Sequence, residues 1–149
     1  MSRGWIALAT VGFGCVSEPE PQGFAFAALD ADAGSIACGE APCTHRAAIT
    51  GDDGLSAEIY LRGTTFHQGL NNFVVRLHQD ASNEECALEQ VYAVMSSHEH
   101  MSEPSRIDDV EPGYWVEDLA LTMPGQLQMT LLADHRKNLE PLTFAIDVQ

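Results

Sequence analysis

The chain contains 149 residues, of which 45% are hydrophobic, and this is enough for one ordinary domain with a single core. Asp and Glu outnumber Lys and Arg by 22 to 7, so the formal net charge is −15. A surface of this charge repels phosphate backbones, and nothing in the sequence resembles a basic patch. We therefore expect no nucleic-acid partner.

The first 14 residues have the pattern of a signal peptide. Arg3 is followed by an apolar run over residues 5–13, which is far shorter than the ~20 apolar residues of a permanent membrane span. Gly14 stands directly before Cys15, and this arrangement resembles a bacterial lipobox, in which the cysteine is lipidated. Gly12 departs from the aliphatic residue usual there, so ordinary secretion or an untethered fate is the alternative. We predict an extracytoplasmic protein of the bacterial cell envelope or periplasm, held at the membrane by a lipid anchor on Cys15.

Residues 15–48 have the composition of an anchor cysteine followed by a disordered linker, because SEPEPQG and DADAGS are rich in Pro, Glu and small polar residues. Export to an oxidising compartment makes a disulfide plausible. Cys38 and Cys43 enclose a short loop and are the obvious local pair, and pairing of either with Cys86 is the alternative. The spacing is not that of a zinc knuckle, which argues against a thiolate metal site.

From residue 49 onward, apolar residues alternate with polar residues in short segments. Turn signals separate the segments about every ten residues, which is typical of an antiparallel sandwich of about seven strands. A helix is the competing interpretation of NEECALEQVYAVMSS, but Val91, Tyr92 and Val94 favour a strand. We therefore predict an all-β antiparallel β-sandwich over residues 49–149. Its strands are expected in LSAEIYLRG, NNFVVRLHQ, CALEQVYAVM, YWVEDLALTM with a bend at Glu117-Asp118, QLQMTLLAD and LTFAIDV.

Three short motifs follow one another along the chain: GLN at residues 69–71, MSSHEH at residues 95–100 and MPG at residues 123–125. In this order they resemble the YtkA-like domains, which in turn resemble the FixH family, and the resemblance covers about residues 54–148. Ser96 departs from the proline of that family, and Gln126-Leu127 stands where its members often have an aromatic residue. The resemblance implies an immunoglobulin-like β-sandwich outside the cytoplasm. By analogy with other small extracytoplasmic sandwiches, it also implies copper handling.

The segment around the second motif has the side chains of a soft-metal site. Imidazole nitrogen suits copper and zinc, and thioether sulfur favours Cu(I). In an extended segment His98 and His100 point to the same side, and a turn can bring Met95 or Met101 round to them. The candidate ligands of a copper ion are therefore these four residues, with Glu103 as an outer partner. The alternative is a structural turn, in which each ring donates a hydrogen bond to a backbone carbonyl and Met95 belongs to the core.

The other polar residues are expected to be ordinary surface groups. His67, His78 and His135 are predicted at the surface, and the acids of residues 108–111 form a solvated loop without the alternation of a calcium site. No nucleophile elbow, phosphate loop or His-Glu-x-x-His motif is present, so we predict no catalytic residue and no enzyme activity. The predicted function is a non-enzymatic binding domain. The alternative is a purely structural or protein-interaction module without metal, and the sequence does not identify its partner.

Overall fold

The computed structural model describes residues 24–30, 36–51, 54–79, 86–95, 98–111, 113–135 and 137–149. These ranges contain twelve strands, and no helix within them is long and apolar enough to cross a membrane. In chain order the strands are β1 (Ala27–Ala28), β2 (Ile36–Cys38), β3 (Ala41–Cys43), β4 (His45–Thr50), β5 (Leu55–Leu61), β6 (Gly69–Gln79), β7 (Ala87–Met95), β8 (His98–Ser102), β9 (Arg106–Val110), β10 (Gly113–Leu121), β11 (Gly125–His135) and β12 (Asn138–Val148).

Ten of the strands form two antiparallel sheets whose inner faces share one core. The larger sheet has the order β1-β4-β5-β6-β10-β9, and the smaller sheet has the order β12-β11-β7-β8. Phe73 and Val116 of the larger sheet and Val91 and Met129 of the smaller sheet are all 0% exposed and belong to the same hydrophobic cluster. The prediction of an all-β antiparallel β-sandwich is therefore confirmed.

The core forms because apolar residues occupy alternate positions of the central strands. In β11 the side chains of Leu127, Met129, Leu131 and Ala133 are buried, whereas Gln128 is exposed. Successive side chains of a strand point to opposite faces of its sheet, so this alternation directs one apolar face inward. Burial of each large side chain contributes about 1.5–3 kcal/mol relative to its exposed state.

The predicted linker is shorter than expected, because residues 36–48 contain β2, β3 and most of β4. In β4, Ala47 and Ile49 are buried and Arg46 and Ala48 are exposed, and the strand pairs with β5 along its whole length. The assignment of residues 36–48 to a disordered linker is therefore corrected. Half of this alternation consists of alanines, whose weak hydrophobic contrast gives a poor periodic signal in the sequence.

The segment of residues 24–30 also packs against the sandwich. Its strand β1 pairs with β4, and the ring of Phe26 lies 5.5 Å from the ring of Phe66. The ring of Phe24 lies 4.8 Å from that of Phe144 in β12, so the segment contacts both sheets. Residues 1–23, which include the predicted signal peptide and Cys15, lie outside the described residues.

The β2–β3 hairpin lies against the outer face of the larger sheet. A disulfide joins Cys38 and Cys43, whose Cα atoms are 5.4 Å apart, and this is the local one of the pairings considered above. Both cysteines are buried in a second hydrophobic cluster with Tyr60 and Val74, against which Trp115 packs. The hairpin therefore covers part of a sheet face that a two-layer sandwich otherwise leaves in water.

The predicted bend at Glu117-Asp118 is a β-bulge within a single strand. The pairing of β10 with β6 shifts between Val116 and Leu119, and Asp118 has a φ of 55°. The backbone N–H of Asp118 donates to Oδ1 of Asn72 at 2.7 Å, which stabilises the bulge. The sequence predicts about seven strands, fewer than the structure contains, because β8, β9 and the strands before residue 45 are short.

Candidate functional site

The MSSHEHM segment forms a β-hairpin rather than a turn alone. Strands β7 and β8 pair through Ala93↔Ser102, Val94↔Met101 and Met95↔His98, with a register shift before the last pair. His98, His100 and Met101 therefore belong to β8, which begins at His98, so the predicted turn does not extend over them.

The register brings two of the four candidate ligands opposite each other at the level of the backbone. Met95 is the last residue of β7, and its Cα is paired with that of His98. The side chains of Met95, His98 and His100 lie outside the described part of the structure. The side chain of Met101 is described, and it is 56% exposed. Met101 is thus a thioether in contact with solvent on the same short strand as both histidines.

Strand β8 is an edge strand of the smaller sheet, where β7 is its one partner among the described strands. A groove of about 260 Å³ lies between β7 and the segment after β8, lined in part by Glu89, Gln90, Glu103 and Arg106. Oε1 of Glu103 accepts a hydrogen bond from Nε2 of Gln90 at 2.6 Å, so this carboxylate is held by β7. Among the side chains that the structure describes, no three His, Cys, Asp or Glu residues form a group that could hold a metal ion.

The acids predicted as a solvated loop lie mostly in a strand. Asp108 and Asp109 belong to β9, which pairs with β10, so the loop prediction is corrected for them. Arg106 contacts Asp108 and Glu117, each at 2.7 Å. One guanidinium therefore faces two carboxylates, and Asp108 is partly neutralised by an ion pair within its own strand.

Of the three histidines predicted at the surface, His67 is exposed and the side chain of His78 is 42% exposed. His135 is different, because it is only 1% exposed. Its position continues the buried series of β11, two residues after Ala133, and the strand extends to His135 itself. The surface prediction for His135 is wrong, because β11 extends one residue beyond the predicted segment, which ends at Asp134, and its last position is buried.

A network of hydrogen-bonded polar side chains surrounds His135 at the end of the sandwich where β11 ends. Nδ1 of His135 lies 3.2 Å from Oε2 of Glu140, and because a carboxylate can only accept, Nδ1 donates. Nε2 contacts the side-chain amide of Gln79, whose Oε1 accepts from Sγ of Cys86 at 3.5 Å. The hydroxyl of Tyr114 donates to the Cys86 carbonyl at 3.3 Å. Cys86, which is not part of the Cys38–Cys43 disulfide, thus belongs to this network of polar side chains, which the sequence did not predict.

A second polar cluster that sequence reasoning missed lies on the outer face of the larger sheet around Glu58. Its Oε2 lies 2.7 Å from Nε2 of His78 and accepts from the Tyr60 hydroxyl at 2.9 Å, and its Oε1 accepts from Arg46 at 3.2 Å. Burial alone would raise the pKa of Glu58, but the hydrogen bonds from His78 and Tyr60 and the positive charges of His78 and Arg46 lower it below its usual value of 4.5. Opposite charges at outward positions of three neighbouring strands are the sequence signal for this cluster.

Comparison of the chain with protein-family models, with curated proteins and with solved structures found no match. The resemblance to YtkA-like domains stays a prediction that rests on the three motifs.

Proposed function

We propose that the chain is an extracytoplasmic, membrane-tethered, non-enzymatic binding domain, and that its β7–β8 hairpin binds a copper ion. The hairpin register supports the metal proposal, since it pairs Met95 with His98 and puts His100 two residues further along the same strand. Met101 is in β8 at the position that alternates with both histidines, so Met95 is the better placed thioether. The order of the three motifs supports a relation to YtkA-like domains and, with it, an immunoglobulin-like arrangement of the sandwich.

The donor set fits copper better than the hard cations. His98 and His100 offer imidazole nitrogens, and Met95, paired with His98, offers a thioether sulfur, so the hairpin supplies soft donors within one supersecondary unit, with Met101 as a further candidate from the alternate position of β8. Calcium and magnesium prefer oxygen ligands, which these four side chains do not provide. The net charge of −15 favours the approach of any cation to the chain.

A Cu(I) titration of residues 16–149 tests the proposal. We expect the wild type to bind Cu(I) and the His98→Ala, His100→Ala double variant to lose most of that binding. His67→Ala is the matched control, because it removes an exposed histidine outside the hairpin and is expected to bind as the wild type does. Equally weak binding by the wild type and the double variant would overturn the metal proposal.

The competing function is a structural or protein-interaction module without metal. The position of β8 at the edge of its sheet supports it, because an edge strand offers backbone groups to a partner strand. The same variant separates the two functions. Loss of the fold in the His98→Ala, His100→Ala variant, with no change in copper affinity, would assign the histidines a scaffold role.

The tether is proposed from the leader pattern and has its own test. Mass spectrometry of the mature protein from a bacterial host is expected to show a lipid-modified Cys15 as the first residue. An unmodified Cys15, or an N-terminus elsewhere, would contradict the anchor without affecting the copper proposal.

A further inference from the structure

The outer face of the larger sheet carries two arginines and a histidine close together, although the chain has a net charge of −15. Arg46 lies on β4, Glu58 on β5, and Arg76 and His78 on β6. Arg76 is directly opposite Glu58 in the β5–β6 pairing, and His78 is opposite Ser56 one pair further along this face. We call Arg46, Glu58, Arg76 and His78 the arginine cluster.

The contacts within the arginine cluster show that its donors converge on a carboxylate. Oε2 of Glu58 lies 2.7 Å from Nε2 of His78 and 3.8 Å from Nη1 of Arg76, and Oε1 lies 3.2 Å from Nη1 of Arg46. The Tyr60 hydroxyl, which also accepts from Arg76 at 3.3 Å, donates to the same carboxylate. Glu58 thus orients three nitrogen donors that come from two different strands.

Arg46 and Arg76 have N–H donors that do not contact Glu58 or Tyr60. Its side chain is 18% exposed, whereas those of Arg46, Arg76 and His78 are 48%, 36% and 42% exposed. Within the described residues each of the two guanidinium groups contacts its partners through Nη1 alone, and a guanidinium has five N–H donors. Two guanidinium charges face one carboxylate, so the cluster has an excess of positive charge before His78 is counted.

The surrounding surface leaves the arginine cluster accessible and holds one of its side chains in place. The β2–β3 hairpin covers Tyr60 and Val74 but not the exposed Ala48 and Thr50 of β4. A Cβ atom on Gly113 would lie 2.9 Å from Cγ of Arg76. The stem of Arg76 therefore packs over a glycine of β10, which restricts where its guanidinium can go.

We propose that the arginine cluster is a binding site for a carboxylate ligand, which Arg46, Arg76 and His78 hold on the solvent side of Glu58. A carboxylate fits because the same side chains already bind one, and guanidinium pairs with it through two parallel hydrogen bonds. The ligand is a free dicarboxylate or the acidic side chains of a peptide, and this site lies on the sheet opposite the proposed copper hairpin.

Titration of the isotope-labelled full chain at pH 7 and low salt tests the proposal and separates the two sources. One sample receives succinate and another receives the peptide acetyl-Glu-Ala-Glu-amide, while the backbone amide resonances of β4–β6 are followed by NMR. Saturable shifts with succinate support a free dicarboxylate as the ligand, and saturable shifts with the peptide alone support an acidic peptide. No saturable shift with either probe overturns the proposal.

Variants distinguish a specific site from bulk attraction. Arg46→Gln is expected to weaken binding about tenfold, since loss of one charged hydrogen bond has about that effect. Arg106→Gln is the matched control, because it removes the same charge from an arginine already held by Asp108 and Glu117, and it is expected to bind as the wild type does. Equal weakening by the two variants overturns the proposal. Arg46 is the preferred position because its side chain is 48% exposed, so its replacement is expected to leave the fold intact. His78→Gln, which is also expected to weaken binding, is the second variant.

Discussion

Removal of the Cys38–Cys43 disulfide should destabilise the sandwich by an amount set by the length of the loop that it closes and by the burial of its two cysteines. The cysteines are five residues apart in sequence, and the chain-entropy relation for so small a loop gives about 2 kcal/mol at 25 °C. Their side chains are 0% and 2% exposed against Tyr60 and Val74, so a Cys38→Ala, Cys43→Ala variant also loses packing. We expect the free energy of unfolding to fall by about 2–4 kcal/mol in total.

Urea unfolding followed by tryptophan emission measures this change, because Trp115 packs against the hairpin that the disulfide closes. The variant is expected to have a lower urea midpoint of unfolding than the wild type. Treatment of the wild type with a reductant should shift its midpoint towards that of the variant. Identical unfolding free energies for the oxidised, reduced and variant proteins would refute the reasoning. The disulfide and the packing of its two cysteines would then contribute nothing measurable to the free energy of unfolding.

Three further changes test other parts of the fold. Glu58→Gln should lower the free energy of unfolding by about 1 kcal/mol at pH 7. The pKa of Glu58 in the folded state lies below 4.5, so the difference in unfolding free energy should be complete above pH 4.5 and should disappear as the pH falls through that pKa. A difference in urea unfolding that does not change with pH would contradict this prediction. Leu131→Ala, at a 0% exposed position, should lower the free energy of unfolding, measured by thermal unfolding, by about 2–5 kcal/mol. Leu139→Ala, at a 59% exposed position, is the control and should change it by no more than about 0.5 kcal/mol. Equal effects of the two substitutions would contradict the assignment of Leu131 to the core. His135→Ala leaves Glu140 without its imidazole partner and should lower the free energy of unfolding by about 1–3 kcal/mol. Amide hydrogen exchange should become faster where β11 and β12 meet, and unchanged exchange would argue against the His135–Glu140 contact.

The long strands of the sandwich could be predicted from the sequence because their periodicity is strong. Strands β6, β7, β11 and β12 have nine or more residues each, and each overlaps a predicted segment. The alternation is most regular in β11, where Leu127, Met129 and Leu131 are buried, and in β12, where Leu142, Phe144 and Ile146 are buried. The bend at Glu117-Asp118 was also predictable, since two adjacent acids interrupt an apolar alternation at the position of the observed bulge. In each case the signal is local and needs no knowledge of the partner strand.

The short elements and the polar clusters could not be predicted in the same way. Strands β2 and β3 have three residues each, too few for a period, and their stability depends on a disulfide and on contact with Trp115. The grouping of Arg46, Glu58 and His78 depends on the register between three strands, which hydrophobic pattern alone does not specify. The opposition of Met95 and His98 likewise depends on the length of the hairpin connection.

The contact between Phe24 and Phe144 has a consequence for how the protein faces its surroundings. Phe144 belongs to β12, at one edge of the smaller sheet, and β8 is the opposite edge. Three interstrand spacings of about 4.8 Å separate these edges, so they lie about 14 Å apart. The described chain therefore meets the smaller sheet at Phe24, beside the edge strand β12, whereas the strand that carries His98 and His100 forms the other edge of that sheet. The proposed anchor at Cys15 would then be joined to the molecule at the edge opposite the candidate copper hairpin.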